Sequence, residues 1–252
     1  MHKKADRLTG GLNVASNMYA CAETWNPHVG CLHDCVYCKA SFQRQVKRWA
    51  KRNCELCYRY VPHFHPERLR SVPSSQIVFV CGNGDIAFCD DSPLKAIADR
   101  LKLHSERCPG RTYYFQSKDW SRARRVVPLI ENLKGAILLE TLETNRDAGY
   151  NRISKAPPPT VRHRDFLSVG FPRKAVTVEP LLDFDVDELF SMIVEVEPEF
   201  VWIGYNSKPH LVRLPEPCPE KTAELIRLLT KSGVDVRGKN LKGGMEWALL
   251  KK

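Results

Sequence analysis

The chain has 252 residues, and 43% of them are hydrophobic, so it can bury one continuous core as a single large domain or as two small ones. Its N-terminus lacks the apolar run of a signal peptide, and no stretch approaches the roughly 18 apolar residues of a membrane-spanning helix, so we expect a cytoplasmic protein with no membrane partner. The net charge of +10 is concentrated in basic blocks at 39–52, 122–125 and 152–174, which fit either a polyanionic partner or a solvated basic surface.

Short apolar runs alternate with amphipathic stretches along the chain. The apolar runs predict strands near 19–24 and at 77–81, 112–116, 136–142, 174–180 and 199–205. Apolar residues three or four apart predict helices at 92–106, 119–133, 185–196 and 219–233. Because the strands are continuous apolar runs, they favour a parallel sheet that is buried on both faces. Six such units predict an α/β fold with an open, partial (β/α)6 TIM-like barrel, whose site lies at the carboxyl ends of the strands.

We expect a single domain over 1–252, with a core at about 19–233 and a cysteine-containing insertion at about 50–66. The region 144–173 shows no clear periodicity and contains three consecutive prolines and several basic residues. It is long for a connector, so we expect it to form a lid or a substrate-binding segment.

Cysteine is frequent in this chain, which contains ten. In a reducing compartment, clustered cysteines more often bind metal or do chemistry than form disulfides. Cys31, Cys35 and Cys38 form a C-x3-C-x2-C motif after the predicted first strand. A structural zinc site needs four ligands, so zinc here would have to borrow a distant cysteine or histidine. A [4Fe–4S] cluster also takes four ligands by default, and three cysteines leave one iron open to another ligand.

The C-x3-C-x2-C motif, with Tyr37 before its last cysteine, resembles the signature of the radical S-adenosylmethionine (radical SAM) superfamily. TWNPHVGC at 24–31 resembles the opening of a little-characterised phage and prokaryotic family of short radical SAM-like proteins. FHPERL at 64–69, VEPLL at 178–182 and FVWIGYNS at 200–207 follow in the order expected of that family. The resemblance covers roughly residues 20–210. A more distant likeness is to the spore photoproduct lyase branch, which acts on DNA.

The resemblance implies a radical SAM core with a [4Fe–4S] cluster on Cys31, Cys35 and Cys38. In the superfamily the open iron chelates the amine and carboxylate of S-adenosylmethionine. Reductive cleavage, with electrons from a ferredoxin or flavodoxin, then yields a 5′-deoxyadenosyl radical that abstracts hydrogen from the substrate. The TWNP family has no well-established reaction to carry over.

The resemblance also places cofactor contacts at the strand ends. Gly82, Asn83, Gly84 and Asp85 follow the second strand and resemble the segment that binds the methionine amine, although GNGD departs from the usual glycine-glycine-glutamate form. Glycines let backbone carbonyls approach a ligand closely. Lys118 suits the cofactor carboxylate, and a carboxylate suits the ribose diol. The remaining candidates are Tyr37, Gln116, Ser117, Thr141, Glu143, Glu179 and Asn206, the last two facing cofactor or substrate.

The chain departs from the family by inserting CELC at 54–57 before VPHFHPERL. Cys54, Cys57, His63 and His65 form a candidate zinc site, or the two cysteines help to bind an auxiliary iron–sulfur cluster. Alternatively, these are unliganded thiols on a basic helix, and His65 belongs to the HPERL element. Three further cysteines are expected near the barrel mouth, as extra ligands, hydrogen donors or inert core residues: Cys21, Cys81 and Cys89.

Three functions remain open from the sequence. The first is a radical SAM enzyme acting on a nucleic acid or nucleotide, in which aromatic residues near the basic segments, such as Trp49, stack on bases. The second is a radical SAM enzyme that modifies a peptide, a protein or a small metabolite, which an auxiliary cluster would favour. The third is a non-enzymatic zinc-binding nucleic-acid module, which leaves the βα units and the TWNP and GNGD motifs unexplained.

Overall fold

The computed structural model describes residues 22–50, 53–239 and 241–242. Its main sheet has seven strands in chain order, and each pairs in parallel with the next. The strands are β1 (Glu23–Trp25), β2 (Ile77–Val80), β3 (Thr112–Ser117), β4 (Ala136–Thr141), β5 (Lys174–Val178), β6 (Val201–Gly204) and β7 (Val236–Lys239).

The predicted α/β fold with a partial, parallel barrel is confirmed, because the sheet curls into a half-barrel. It has one strand more than the six expected. The additional strand β7 has the sequence VRGK and, within the described residues, pairs with β6 alone at the edge of the sheet. Its arginine, glycine and lysine interrupt the continuous apolar run by which the other strands were predicted.

Helices connect consecutive strands on one side of the sheet, as expected when right-handed crossovers add each strand to the same edge. The helices of the crossovers are α4 (Asp91–Arg107), α5 (Trp120–Ala123), α6 (Val127–Ile130), α7 (Pro159–Leu167), α8 (Val186–Glu195) and α9 (Pro219–Lys231). A 3-10 turn at Arg124–Val126 interrupts the helix expected over 119–133. Within the described part of the chain, no helix combines the length and apolar character needed to cross a membrane.

The connection from β1 to β2 carries the cysteines. It contains α1 (Val36–Ala40), α2 (Phe42–Ala50), α3 (Glu55–Arg59), a 3-10 helix at Pro66–Arg70, and an antiparallel ribbon of two short strands, His28–Val29 and His63–Phe64. The insertion expected at about 50–66 therefore supplies α3 and one strand of the ribbon. Residues 51 and 52 within it, and Cys21, lie outside the described residues.

The region 144–173, predicted to be a lid or a substrate-binding segment, contains regular secondary structure. It contains a 3-10 turn at Tyr150–Arg152 and the whole of α7. Helix α7 buries Arg162, His163 and Phe166, so this part of the region is a packed crossover helix. Its pattern was missed because two of its buried positions carry polar side chains, which are paired with buried carboxylates.

The alternation of side chains along the strands determines which polar groups reach the concave face. A small apolar cluster on that face includes Tyr114 of β3 and Leu139 of β4. Because successive side chains point to opposite faces, Gln116 and Thr141 lie on the same face two residues further on. The concave face is therefore apolar near the amino ends of the strands and polar near their carboxyl ends.

Candidate active site

A cavity of about 830 Å³ opens at the carboxyl ends of the strands. Cys31, Cys35 and Cys38 all lie on its wall. Every predicted cofactor residue except Glu143 also lines this cavity. These residues are Tyr37, Gly82, Asn83, Gly84, Asp85, Gln116, Ser117, Lys118, Thr141, Glu179 and Asn206. The structure thus brings the cysteine motif, the glycine loop and the strand ends to one site.

The three thiols lie around the start of α1. Cys35 is the residue before the helix, and its Sγ lies 3.1 Å from Ser154 Oγ. The backbone N–H of His33 donates to Cys31 Sγ at 3.4 Å. Burial raises the pKa of Cys31 well above its ordinary value and that of Cys38 to about 11, so a cation beside them is needed to favour the thiolate form. Among the described residues, the three sulfurs do not form a group within 4.8 Å, whereas Cys31, His33 and Asp85 do.

Asp85 anchors the glycine loop and offers no free oxygen. Its Oδ1 accepts from Ser117 Oγ at 2.6 Å and from the Ala87 N–H at 2.9 Å. Its Oδ2 lies 3.1 Å from His33 Nε2 and accepts from the Lys118 N–H at 3.0 Å. Burial opposes ionisation, but these hydrogen bonds, led by that of His33, lower the pKa of Asp85. Four contacts fill the acceptor sites of a carboxylate, so Asp85 fixes neighbouring segments and is not the open amine acceptor that the sequence suggested.

The glycine loop is joined directly to the cysteine motif. The Gly30 N–H donates to the Asn83 carbonyl at 3.1 Å, and the Asn83 N–H donates to Asn26 Oδ1 at 2.7 Å. Gly30 and Gly84 form a parallel bridge. The loop is therefore held at a fixed position against the segment that carries Cys31.

Three polar side chains of neighbouring strands form a short hydrogen-bonded row on the cavity wall. Gln116 Nε2 donates to Thr141 Oγ1 at 2.6 Å and to Thr177 Oγ1 at 3.0 Å. This orients the amide, and Gln116 Oε1 is a buried acceptor with no partner among the described residues. An unpaired buried acceptor beside a cavity suits a hydroxyl or amino donor of a bound ligand. Thr177 was not predicted, although it occupies the position on β5 that corresponds to Thr141 on β4.

Glu143, predicted as a cofactor contact, lies behind the cavity wall and is fully buried. Its Oε2 accepts from Arg162 at 2.8 Å, and its Oε1 pairs with Lys118 Nζ and accepts from Tyr37 at 2.5 Å. Burial alone would raise the pKa of Glu143, but Arg162 and Lys118 outweigh it and hold the pKa well below its ordinary value. Tyr150 also donates to Glu143, at 3.1 Å. Glu143 therefore positions Lys118 and Tyr37 and has no oxygen free for a ribose.

The other predicted residues divide between the cavity and the core. Asn206 uses its side chain within the protein, donating to the Val212 carbonyl at 2.7 Å and accepting from the Lys208 N–H at 3.0 Å. Cys81 and Cys89 are buried in the core between sheet and helices and are not part of the cavity lining. Neither lies where it would bind a ligand in the cavity.

The four residues of the second predicted metal site lie close together. The ligand atoms of Cys54, Cys57, His63 and His65 are all within 4.8 Å of one another. This group is separate from the cavity lining. It contacts the cysteine motif through a small apolar cluster that contains Val29, Val46, Cys57 and Tyr60, with Cys31, Phe42 and Cys54 packed against it.

Neither a family model nor a curated protein matches this chain. Solved structures of low sequence identity do match it. SuiB from Streptococcus suis bound to S-adenosylmethionine aligns with a TM-score of 0.53 and 12% identity over 89% of this chain and 48% of SuiB. SuiB bound to the precursor peptide SuiA aligns with a TM-score of 0.52 and 13% identity, over 87% of this chain and 49% of SuiB. A mutant of spore photoproduct lyase with a dinucleoside spore photoproduct aligns with a TM-score of 0.57 and 10% identity, over 92% of this chain and 79% of the lyase.

The likeness to these structures is one of fold. The chain spans about half the length of SuiB and about four fifths of spore photoproduct lyase. Both alignments cover most of the present chain, so the half-barrel as a whole is what the three proteins share.

Proposed function

We propose that the chain is a radical SAM enzyme that binds a [4Fe–4S] cluster through Cys31, Cys35 and Cys38. S-adenosylmethionine would occupy the adjoining cavity. The observation that carries the proposal is that the three thiols share one cavity with the glycine loop and the polar strand ends. The fold shared with SuiB in its S-adenosylmethionine complex supports it.

The cavity suits both groups. Its volume of about 830 Å³ lies in the range of ordinary cofactor sites. Among the described residues, the three thiols do not all lie within 4.8 Å of one another, so they suit a cluster several ångströms wide better than a single ion. Gln116 Oε1, which no group in the described part of the chain pairs with, is a suitable acceptor for a hydroxyl of the nucleoside. When bound, the cluster and S-adenosylmethionine would supply one-electron chemistry that starts hydrogen abstraction, given a reductant such as a ferredoxin or flavodoxin.

The chain's own residues would orient the cofactor. Lys118 presents a cation on the cavity wall, where Glu143 holds its ammonium and the Tyr37 ring centre lies 5.5 Å away. A fixed cation suits the carboxylate of the methionine moiety. Gly82 and Gly84 lie on the cavity wall, and the buried Asp85 keeps their loop in place.

For the substrate we propose a nucleic acid or nucleotide. Helix α2 places Gln45 and Trp49, one turn apart, on the cavity lining, and Trp49 is 62% exposed. Arg44 and Arg48 are exposed beside them on the same helix. An exposed indole flanked by cations at a cavity mouth provides a surface on which a base can stack while its phosphates are neutralised. Spore photoproduct lyase, solved with a dinucleoside photoproduct, shares the fold.

A peptide, protein or small-metabolite substrate is the alternative. It is favoured by SuiB, which shares the fold and was solved with its precursor peptide. The two substrate classes differ in salt dependence, because nucleic-acid affinity falls steeply with salt as counterions are released. Filter binding with DNA and RNA over a salt series separates them.

The cofactor half of the proposal is tested by anaerobic reconstitution with iron and sulfide, then incubation with S-adenosylmethionine and dithionite. We expect about four irons per chain on the motif and release of 5′-deoxyadenosine. Cys35→Ala should lose both, whereas Cys218→Ser, at an exposed cysteine, should retain both. A reconstituted wild-type protein that carries no cluster and cleaves no cofactor would contradict the proposal.

A further inference from the structure

Cys54, Cys57, His63 and His65 have the geometry of a single-ion site. Cys57 Sγ lies 3.3 Å from His63 Nε2 and 3.2 Å from His65 Nε2. Cys54 Sγ lies 3.5 Å from His63 Nε2. The two Nε2 atoms are 2.7 Å apart. Two sulfurs and two imidazole nitrogens thus converge on one point, as the ligands of a tetrahedral ion do.

The outer hydrogen bonds of the two histidines determine which ring nitrogens face that point. His63 Nδ1 lies 2.7 Å from the carbonyl oxygen of Val61, which can only accept. His65 Nδ1 lies 2.8 Å from Glu67 Oε1. Both Nδ1 atoms therefore carry the proton, and both Nε2 atoms present lone pairs. Metal-binding histidines are oriented in this way by a carbonyl or a carboxylate on the far nitrogen.

Two imidazole lone pairs that face each other across 2.7 Å repel unless a positive charge lies between them. A metal ion bound at their convergence removes the repulsion and accepts both pairs. The sulfurs are arranged to contribute as well, since Cys54 precedes α3 and its Sγ accepts the Cys57 N–H at 3.4 Å. The histidines, by contrast, come from the ribbon strand and the residue after it. The site therefore joins two elements that have no long apolar face with which to pack.

We propose that Cys54, Cys57, His63 and His65 bind one Zn²⁺ ion that fixes the wall of the cavity next to the cysteine motif. Two thiolates with two imidazoles in a closed tetrahedral set are typical of structural zinc. The ligand atoms lie too close together for an auxiliary iron–sulfur cluster, because a cluster holds its ligands further apart than one ion does. This inference goes beyond the proposed reaction and does not depend on it.

The ion would act on the cavity through Tyr60 and Val61, which lie between the two pairs of ligands in the chain. Tyr60 has a left-handed backbone with φ 59° and is buried in the apolar cluster against which Cys31 packs. The carbonyl oxygen of Val61 accepts a hydrogen bond from His63 Nδ1, and the Val61 backbone packs against Gly30. Zinc would hold both residues in place and with them one side of the cysteine motif.

Metal analysis of the purified full chain tests the site. We expect about one zinc per chain, with two sulfur and two nitrogen ligands at about 2.3 Å and 2.0–2.1 Å by X-ray absorption. A variant with Cys31, Cys35 and Cys38 all changed to Ala should keep this zinc while it loses iron, so the site and the proposed cluster can fail separately. Cys57→Ser and His63→Ala should reduce zinc to near none, while Cys218→Ser keeps it.

Cobalt substitution of the wild-type protein covers the case in which these variants do not fold. Co²⁺ bound by two thiolates gives thiolate charge-transfer and tetrahedral absorption bands, which added Zn²⁺ should abolish. A wild-type protein grown with ample zinc that contains none, or whose zinc has three sulfur ligands from the 31–38 motif, would overturn the proposal. Iron at this position in place of zinc would overturn it equally.

Discussion

Gly84 lies so close to Gly30 that a β-carbon on Gly84 would be 2.6 Å from the carbonyl oxygen of Gly30. Gly30 in turn has φ 100°, and a β-carbon there would lie 2.4 Å from the Val61 carbonyl carbon. The glycine loop, the cysteine motif and the segment after α3 therefore meet through two residues that have no side chain. The third glycine of this region, Gly82, would place a β-carbon 2.9 Å from Phe79 Cδ1.

Gly84→Ala should disturb both the fold and the iron site. The added methyl meets backbone on the Gly30 side, so a segment that carries Cys31 has to shift. We expect a loss of about 1–3 kcal/mol in the free energy of unfolding, as for overpacking elsewhere, and a lower iron content after reconstitution. Urea titration and iron analysis measure the two effects.

Gly170→Ala is the matched control for this change. No atom of the described residues lies within 4 Å of a β-carbon at Gly170, and its backbone is not left-handed. Its stability should stay within about 0.5 kcal/mol of wild type with iron content unchanged. If Gly84→Ala behaves like this control, the two segments do not depend on each other.

Glu143→Gln should be strongly destabilising. It leaves Arg162, which is 1% exposed, without its carboxylate, and it removes the partner of Lys118. Breaking a buried ion pair on one side costs about 3–5 kcal/mol. Urea unfolding of the apo protein measures the cost. The exposed pair of Arg173 and Glu199 gives the control, because Glu199→Gln should cost less than about 1 kcal/mol.

A double-mutant cycle sharpens this prediction. Glu143→Leu combined with Arg162→Met removes both charges, so the double variant should be more stable than the sum of the two single changes predicts. Strict additivity would mean that the pair is not coupled, against the contact of 2.8 Å between Arg162 and Glu143.

His163 should make stability depend on pH. It lies 3.1 Å from Glu140 Oε1 on β4 and 3.3 Å from Glu195 Oε2 on α8, and Lys174 on β5 is the nearby cation that interacts with Glu140. Burial opposes protonation, but the two carboxylates raise the pKa of His163 above its ordinary value. Its contribution is therefore full below the unfolded pKa near 6.5 and is lost as pH rises through the folded pKa.

The measurement compares wild type with His163→Gln by urea unfolding between about pH 5.5 and 9. The stability difference should be about 1.5 kcal/mol at the acidic end and shrink as pH rises. His104 should show the opposite pH dependence of stability. Burial, together with Arg100 and Arg111, lowers its pKa, so its contribution to stability is lost as pH falls. A His163 difference that grows with pH would contradict the assignment.

The half-barrel and the polar strand ends were predicted correctly because both depend on local features, namely continuous apolar runs and the polar residues that follow them. Sequence periodicity missed Arg162, since a buried guanidinium inside an apolar helical face is recognisable only when its partner is known. It placed Glu143 on the cavity wall because position after a strand does not show burial. Gly30 could be read as part of a motif, but its contact with Gly84 joins segments far apart in the chain. Strand β7 lacked an apolar run.

The last prediction concerns the proposed nucleic-acid surface on α2. Trp49→Ala should weaken binding of single-stranded DNA or RNA by about 1–3 kcal/mol, the usual value of one stacked base. Arg48→Ala should lower the affinity and flatten the dependence of log K on log salt by about 0.7, which corresponds to one phosphate contact on a single strand. Fluorescence anisotropy over a potassium chloride series measures both quantities.

Lys95→Ala is the control for charge alone, because Lys95 lies on α4 at the outer side of the sheet and is paired with Asp99. It should leave both the affinity and the salt slope unchanged. If Arg48→Ala and Lys95→Ala lower binding equally, the attraction comes from net charge and not from α2. If the wild-type protein shows no salt-dependent binding at all, a peptide, protein or small-metabolite substrate becomes the better assignment, and Trp49 is then available to pack against an apolar side chain at the mouth of the same cavity.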